Sequence, residues 1–237
     1  MTGFRPLFWP TLFTAPAVLL LLALGFWQVE RLFWKQDLIA QRQAAMAAAP
    51  VAAPRSWEEA RGMELRHVTD EGAFLNDKEI FIGATSEAGR QGYHVLTPLL
   101  EPGGRVVFVN RGFIPAELKD PAKRAAGQIT DTVRVQGLLR LPPAEKPAWF
   151  LPDNRPDLNY WFWVDLPEMS AADRLDRVAP FYIDADATAN PGGWPKGGVT
   201  RLVLPNDHLQ YAITWFSLAV ALIVIYVLFH RRSAGPK

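Results

Sequence analysis

The 237-residue sequence contains no cysteine and only four histidines. The absence of cysteine excludes a disulfide scaffold, a thiolate nucleophile and an iron–sulfur cluster. No HxxxH or HExxH pattern occurs, so the sequence gives no signal of a zinc site. The GxSxG, Walker A and GxGxxG motifs are also missing, which leaves nucleophile-elbow hydrolases and nucleotide-binding enzymes without support. A net charge of +1 provides no basic excess that would indicate binding to nucleic acid.

Charged residues are missing from two long stretches, residues 6–29 and residues 209–229. A helix needs about 20 apolar residues to cross a bilayer, and both stretches reach that length. We therefore expect a first transmembrane helix at 6–29, extending outside the bilayer to about residue 49, and a second at 208–230. A cleaved signal peptide is the alternative for the first stretch, but the apolar run is long and no small-x-small cleavage site follows it directly.

The positions of the charges predict how the chain is oriented in the membrane. All 24 acidic residues lie between Glu30 and Asp207, and cations occur without acids only at the two ends of the chain. These terminal cations are Arg5, Arg231, Arg232 and Lys237. Cations beside a span favour the cytoplasm, so we expect a two-pass protein of the cell inner membrane with both termini cytoplasmic, including the tail at 231–237. The domain at 50–207 would then be periplasmic.

The segment between the spans has the pattern of a mainly β domain, because short runs of β-branched and aromatic residues alternate with turn residues. We predict a hairpin whose strands, 93–100 and 105–110, are joined by Pro-Gly-Gly. A short helix is expected from Leu166, a mobile loop at 119–130 and another loop at 185–198. Further strands are predicted at 67–69, 74–75, 79–83, 133–138, 160–165, 181–184 and 199–204. The fold class is therefore a membrane protein of the α+β type, in which two transmembrane helices flank an extracytoplasmic sandwich or partly open barrel.

His208 is the histidine whose position indicates chemistry, because it lies at the outer mouth of the second span. Helical spacing places His208, Tyr211 and Trp215 on one face. A neutral imidazole among aromatic residues could ligate the iron of a haem, and the neighbouring Asp207 could orient it. The alternative is a helix-capping region with aromatic anchors at the membrane surface.

Beyond the first span, Gln28 and Arg31 share a helix face and could bind lipid headgroups, a propionate or the other helix. Trp27 lies beside them, as an anchor at the membrane interface. His67 and His94 fall in predicted strands and are interpreted as structural.

Four segments carry a resemblance to a known family. Gly25-Phe26-Trp27-Gln28-Val29-Glu30-Arg31 ends the first span, and Asn206-Asp207-His208-Leu209-Gln210-Tyr211-Ala212-Ile213-Thr214-Trp215-Phe216 opens the second. Between them lie Gly92-Tyr93-His94-Val95-Leu96-Thr97-Pro98-Leu99 and Val109-Asn110-Arg111-Gly112-Phe113-Ile114-Pro115. In this order, and with two spans, the chain resembles the Surfeit-locus-one family of cytochrome oxidase assembly factors over almost its whole length. Phe113 stands where relatives often have tryptophan.

The resemblance implies a chaperone of respiratory chain biogenesis rather than an enzyme. Its role would be to assist the delivery of haem a to, or its insertion into, the largest subunit of a haem-copper cytochrome c oxidase. His208 would be the iron ligand, since it matches the ligand proposed in bacterial relatives, and haem a would be bound transiently. The other expected cofactor-binding residues are Trp27, Gln28, Arg31, Tyr211 and Trp215. Oxidase subunits, other assembly factors and the lipid bilayer are the expected partners, and nucleic acid is not.

Two other functions remain open at this point. The protein could be a scaffold that stabilises an oxidase assembly intermediate without any cofactor. It could also be a tethered extracytoplasmic enzyme that uses the local carboxylates Asp153, Asp157 and Asp165 in acid–base chemistry.

Overall fold

The computed structural model describes residues 6–86, 88–198 and 205–232. The chain divides into two compact units, one made of Met1–Arg42 with Val203–Lys237 and the other of Gln43–Leu202. The helices are α1 (Phe8–Ala47), α2 (Trp57–Arg61), α3 (Leu166–Ala172) and α4 (His208–Arg232). The strands are β1 (Val51–Ala52), β2 (His67–Phe74), β3 (Ile80–Thr85), β4 (Gln91–Leu100), β5 (Val106–Pro115), β6 (Thr132–Arg140) and β7 (Val178–Ala185).

Both terminal helices are long and apolar enough to cross a membrane. Helix α1 has 40 residues and ends three residues before Pro50, which has no N–H to continue a helix. The helix buries only Gly25 and Gln28, and the large apolar side chains along both helices are mostly exposed. A core helix of a soluble domain would instead bury an apolar stripe. The prediction of two apolar helices that flank a β-rich domain is confirmed.

The two long helices pack against each other in antiparallel orientation. Near the start of α1, the hydroxyl oxygens of Thr11 and Tyr226 lie 2.5 Å apart and share a hydrogen bond. Further along, Gly25 faces the ring of Phe216 so closely that an added Cβ would lie 2.6 Å from Cε1 of that ring. Phe26 meets the same ring edge-on, with centroids 5.3 Å apart. A side chain at position 25 would therefore force the Phe216 ring or the helices to shift, so glycine favours this close approach.

The β-rich unit is a closed barrel of five strands. Its strands follow the order β2, β6, β7, β5 and β4, and a short pairing between β2 and β4 closes the ring at Ala73 with Leu100 and Phe74 with Leu99. Strand β1 extends the sheet parallel to β2, and β3 extends it antiparallel to β4. Of the two architectures that the sequence left open, the barrel is present, and it is closed. Closure pairs the strand edges that an open sheet would leave exposed.

Alternation along the strands distributes the buried apolar residues over opposite faces, in three clusters of which two are large. Val107 and Phe181 belong to a cluster that fills the barrel, whereas their neighbours Phe108 and Tyr182 belong to a second cluster. Successive strand residues point to opposite faces, so this second cluster lies outside the barrel. It is covered by Trp161 and by residues of α3. Helix α3 and the segment before it are therefore packed onto the barrel wall.

The segment 160–165 is not a strand, contrary to the prediction. Only isolated bridges occur there, at Tyr160 and Trp161. The side-chain oxygen of Asn154 accepts hydrogen bonds from the backbone N–H groups of Phe162 and Trp163, in place of a neighbouring strand. Trp161 is 1% exposed. The aromatic residues of the segment 160–165 therefore reflect packing in the outer core rather than pairing with a neighbouring β-strand.

The segment 119–130, predicted to be a mobile loop, is instead folded onto the barrel. It contains two short 3-10 turns within Pro121–Gly127, which meet at a kink at Arg124, and Arg124 is 5% exposed. The guanidinium of Arg124 donates hydrogen bonds of 2.9 and 2.6 Å to the two carboxylate oxygens of Glu79. This buried ion pair fixes the segment. The strand predicted at 199–204 lies outside the described residues.

Candidate functional site

The centre of the candidate site is a hydrogen bond between the two long helices. Nδ1 of His208, the first residue of α4, donates to Oε1 of Gln28 on α1 at 2.7 Å. An amide oxygen can only accept, so Nδ1 carries a proton, and in a neutral imidazole Nε2 is then the nitrogen with a free lone pair. No residue in the described part of the chain hydrogen-bonds to Nε2. Metal-ligating histidines are typically held in this way, with the second ring nitrogen bound to a fixed acceptor.

Packing of the helices explains why Gln28 is in place to accept this bond. Gly25 and Gln28 are three residues apart and share one face of α1, and both are buried. The close approach at Gly25 brings the Gln28 amide, which is 9% exposed, against α4. A buried amide requires a polar partner, and His208 supplies it. Asp207, the residue we expected to orient the imidazole, has an exposed side chain, and Gln28 takes that role.

Arg31 lies on the surface of α1 between two indole rings. Its guanidinium carbon is 5.9 Å from the ring centre of Trp27 and 5.0 Å from that of Trp34. Both distances are within the range of cation–π attraction. The contact holds an exposed positive charge one helical turn beyond Gln28, where it can pair with a carboxylate or phosphate.

The other two predicted site residues follow His208 along α4. Tyr211 is 54% exposed and Trp215 is half-buried. By helical spacing they share a face with His208. The structure thus brings His208 together with Gln28, and Arg31 together with Trp27. The sequence left contact with the other helix open as one role for Gln28 but did not identify His208 as the partner, since a pairing across 180 residues leaves no local signal. It also did not assign Trp34 to the site.

The three carboxylates named for the enzyme alternative, Asp153, Asp157 and Asp165, each have a different partner and do not form one site. Asp153 pairs with Lys146 at 2.6 Å, and Asp157 pairs with Arg155 at 3.2 Å. Asp165 caps α3 by accepting a hydrogen bond from the backbone of Glu168. Across the described residues, no group of three or more His, Asp or Glu side chains could hold a metal ion.

The histidines of the barrel have surroundings that fit a structural role. His94 meets Phe113 edge-on at 6.3 Å, and burial lowers the pKa of His94 below its usual value. His67 lies in β2 and is half-buried. The imidazole of His94, whose burial favours the neutral form, contributes shape rather than charge.

A buried carboxyl pair at the barrel seam was not anticipated. Burial, and then a hydrogen bond with Glu101, raises the pKa of Asp70 to about 6. Burial alone would raise the pKa of Glu101, but hydrogen bonds from Arg105 and Asp70 outweigh it and the pKa lies below its usual value. Arg55 also reaches Glu101, at 2.5 Å. This cluster ties the segment after α1 to the closing strands.

Comparison with known proteins identifies the family. The model of the SURF1 family matches residues 15–220. A SURF1-like protein of Monosiga brevicollis is 37% identical, over 98% of this chain and 90% of its own length. Surfeit locus protein 1 of Mus musculus is 37% identical and that of Homo sapiens 36% identical, each over 84% of this chain and over 68% and 70% of their own lengths. On the family match and these identities, the chain belongs to the SURF1 family.

Proposed function

We propose that this protein is a membrane-anchored assembly factor for haem-copper cytochrome c oxidase, and that it handles haem a before the haem enters the largest subunit. Family membership supports the assembly role. The observation that carries the haem role is the hydrogen bond from Nδ1 of His208 to Gln28, which leaves Nε2 available at the end of a helix.

The residues around His208 fit an iron porphyrin cargo. Haem a would supply an iron that accepts an axial nitrogen, and Nε2 of His208 is a nitrogen of that kind. Gln28 would hold the imidazole plane and its tautomer. Arg31 would pair with a propionate, and its two indole neighbours would hold it in place. Tyr211 and Trp215 would offer apolar surface. A single protein ligand on an accessible surface suits a carrier that must also release its cargo.

The same proposal includes a two-pass arrangement in the cell inner membrane. Both termini would be cytoplasmic and the barrel periplasmic, where oxidase subunits and other assembly factors would meet it. The cysteine-free chain allows a direct test with an Ala122→Cys variant, since Ala122 is exposed. A membrane-impermeant maleimide should label this variant in intact spheroplasts. Labelling only after the spheroplasts are lysed would refute the orientation.

The haem role is tested by the visible spectrum of the protein purified from cells that make haem a. The wild type should carry a haem a spectrum, and His208→Ala should lose it. Leu209→Ala is the matched control, because Leu209 is the neighbouring residue and is 55% exposed; its spectrum should equal that of the wild type. Equal haem content in His208→Ala would overturn the ligand assignment. Full oxidase activity in cells that carry His208→Ala would favour the cofactor-free scaffold.

A further inference from the structure

The barrel unit presents two large aromatic side chains to solvent. Residues 147–152 read Pro-Ala-Trp-Phe-Leu-Pro and carry no charge. Trp149 is 91% exposed and Phe150 is 72% exposed. Their rings meet edge-on with centroids 5.8 Å apart. Because both rings are exposed, folding buries little of their apolar surface. Together they form an exposed apolar patch, and such patches usually mark a binding surface.

The backbone holds these side chains at the tip of a turn. The N–H of Leu151 donates a hydrogen bond of 3.1 Å to the carbonyl of Ala148, so Trp149 and Phe150 occupy the two corner positions. Corner positions favour Gly, Pro, Asn, Asp and Ser, which tolerate tight turns and water. Pro147 and Pro152 restrict the chain on both sides. The aromatic pair is therefore presented by a preformed turn, which lowers the entropy lost on binding.

The two charged residues that directly flank the turn are paired with each other. Lys146 and Asp153 flank the six uncharged residues, and their side chains form an ion pair at 2.6 Å. These two flanking charges thus neutralise each other, and the next charge along the chain is the exposed Glu145. The tip can leave water without drawing an unpaired charge into a medium of low dielectric constant.

We propose that this tip, residues 147–152, inserts into the headgroup region of the bilayer in which the two long helices lie. Indole and phenyl rings favour that depth, where one side is apolar and the other wet. The bilayer is the occupant that the chain itself brings within reach, because both ends of the barrel unit continue into helices able to cross it. Tethering raises the effective concentration of the surface, so even a weak two-residue anchor is sufficient.

The lack of cysteine permits a site-specific test on the full chain in liposomes of phosphatidylcholine with a minority of phosphatidylglycerol. A solvatochromic dye is attached to an Ala148→Cys variant, and in a second preparation to an Ala144→Cys variant. Ala122→Cys is the matched control, an exposed alanine in the Pro121–Gly127 segment of the same unit. Emission from the dye near the tip should shift to the blue, and lipids brominated near the headgroup should quench it. The control dye should show neither effect.

A second variant tests whether the aromatic tip, rather than the dye itself, causes the insertion. With Trp149→Ser and Phe150→Ser added, the blue shift at position 148 should disappear while the far-ultraviolet circular dichroism is unchanged. Three results would overturn the proposal. In the first, the dyes at positions 144 and 148 stay as accessible to water as the control dye. In the second, the blue shift of the emission persists when both serine substitutions are present. In the third, the blue shift appears only after an oxidase subunit is added. The last result would assign the tip to a protein partner.

Discussion

Replacing Glu79 with alanine should destabilise the barrel strongly, because it isolates a buried cation. The side chains of Arg124 and Glu79 are 1% and 2% exposed and make two hydrogen bonds. Gln128 donates a third hydrogen bond to Glu79, and Arg111 lies 3.8 Å away. Breaking a buried pair by removing one partner typically costs about 3–5 kcal/mol. We expect Glu79→Ala to lower the free energy of unfolding by about that amount, measured by urea denaturation of the full chain in detergent.

The chain contains a matched control for this measurement. Arg90 and Glu117 form the same kind of ion pair, but their side chains are 58% and 56% exposed. An exposed pair contributes about 1 kcal/mol or less, so Glu117→Ala should have a small effect. Glu79→Ala should also speed hydrogen exchange in the Pro121–Gly127 segment, which Arg124 holds in place. Equal costs for the two substitutions, or unchanged exchange, would refute the role given to the buried pair.

Other substitutions test the helix pair and the barrel seam. Gly25→Val should weaken the packing of α1 against α4 by about 1–3 kcal/mol, because the new side chain overlaps Phe216. Adding Phe216→Ala should partly restore the packing, measured by disulfide crosslinking between cysteines introduced into the two helices. A lack of rescue would contradict the contact. Thr11→Val and Tyr226→Phe should each lower the stability of the helix pair by about 0.6 kcal/mol. In a double-mutant cycle the two losses should not add, and full additivity would refute the hydrogen bond between the two hydroxyls. Since the folded pKa of Asp70 is raised to about 6, the contribution of Asp70 to stability falls as pH rises from 3.8 to 6. In urea denaturation the stability of the wild type relative to Asp70→Asn should therefore decrease over this range, and parallel pH curves would contradict it.

The sequence predicted the elements whose signals are local. Charge-free runs indicated the two long helices, and alternation around a Pro-Gly-Gly turn predicted the hairpin that became β4 and β5. The predicted strand at 133–138 lies within β6, and that at 181–184 within β7. Closure of the barrel could not be predicted, because it depends on two residue pairs between β2 and β4.

The errors arose where tertiary contacts outweighed local pattern. Residues 160–165 have the aromatic content of a strand, but Trp161 is drawn into the outer core instead. Residues 119–130 have the composition of a loop, and nothing in that stretch reveals that Arg124 meets Glu79 across 45 positions. His208 and Gln28 were each selected from the sequence, but only the packing at Gly25 shows that they meet.

Titration of the purified protein with haem a tests the haem-handling role of the His208–Gln28 pair most directly. The wild type should bind haem a with the spectrum of a histidine-ligated iron. Gln28→Leu removes the hydrogen bond that fixes the imidazole and should weaken binding about 10–100-fold, the usual effect of losing such a partner. His208→Ala should abolish the histidine-ligated spectrum, and Leu209→Ala should match the wild type. Equal affinity and identical spectra in all four proteins would contradict the account.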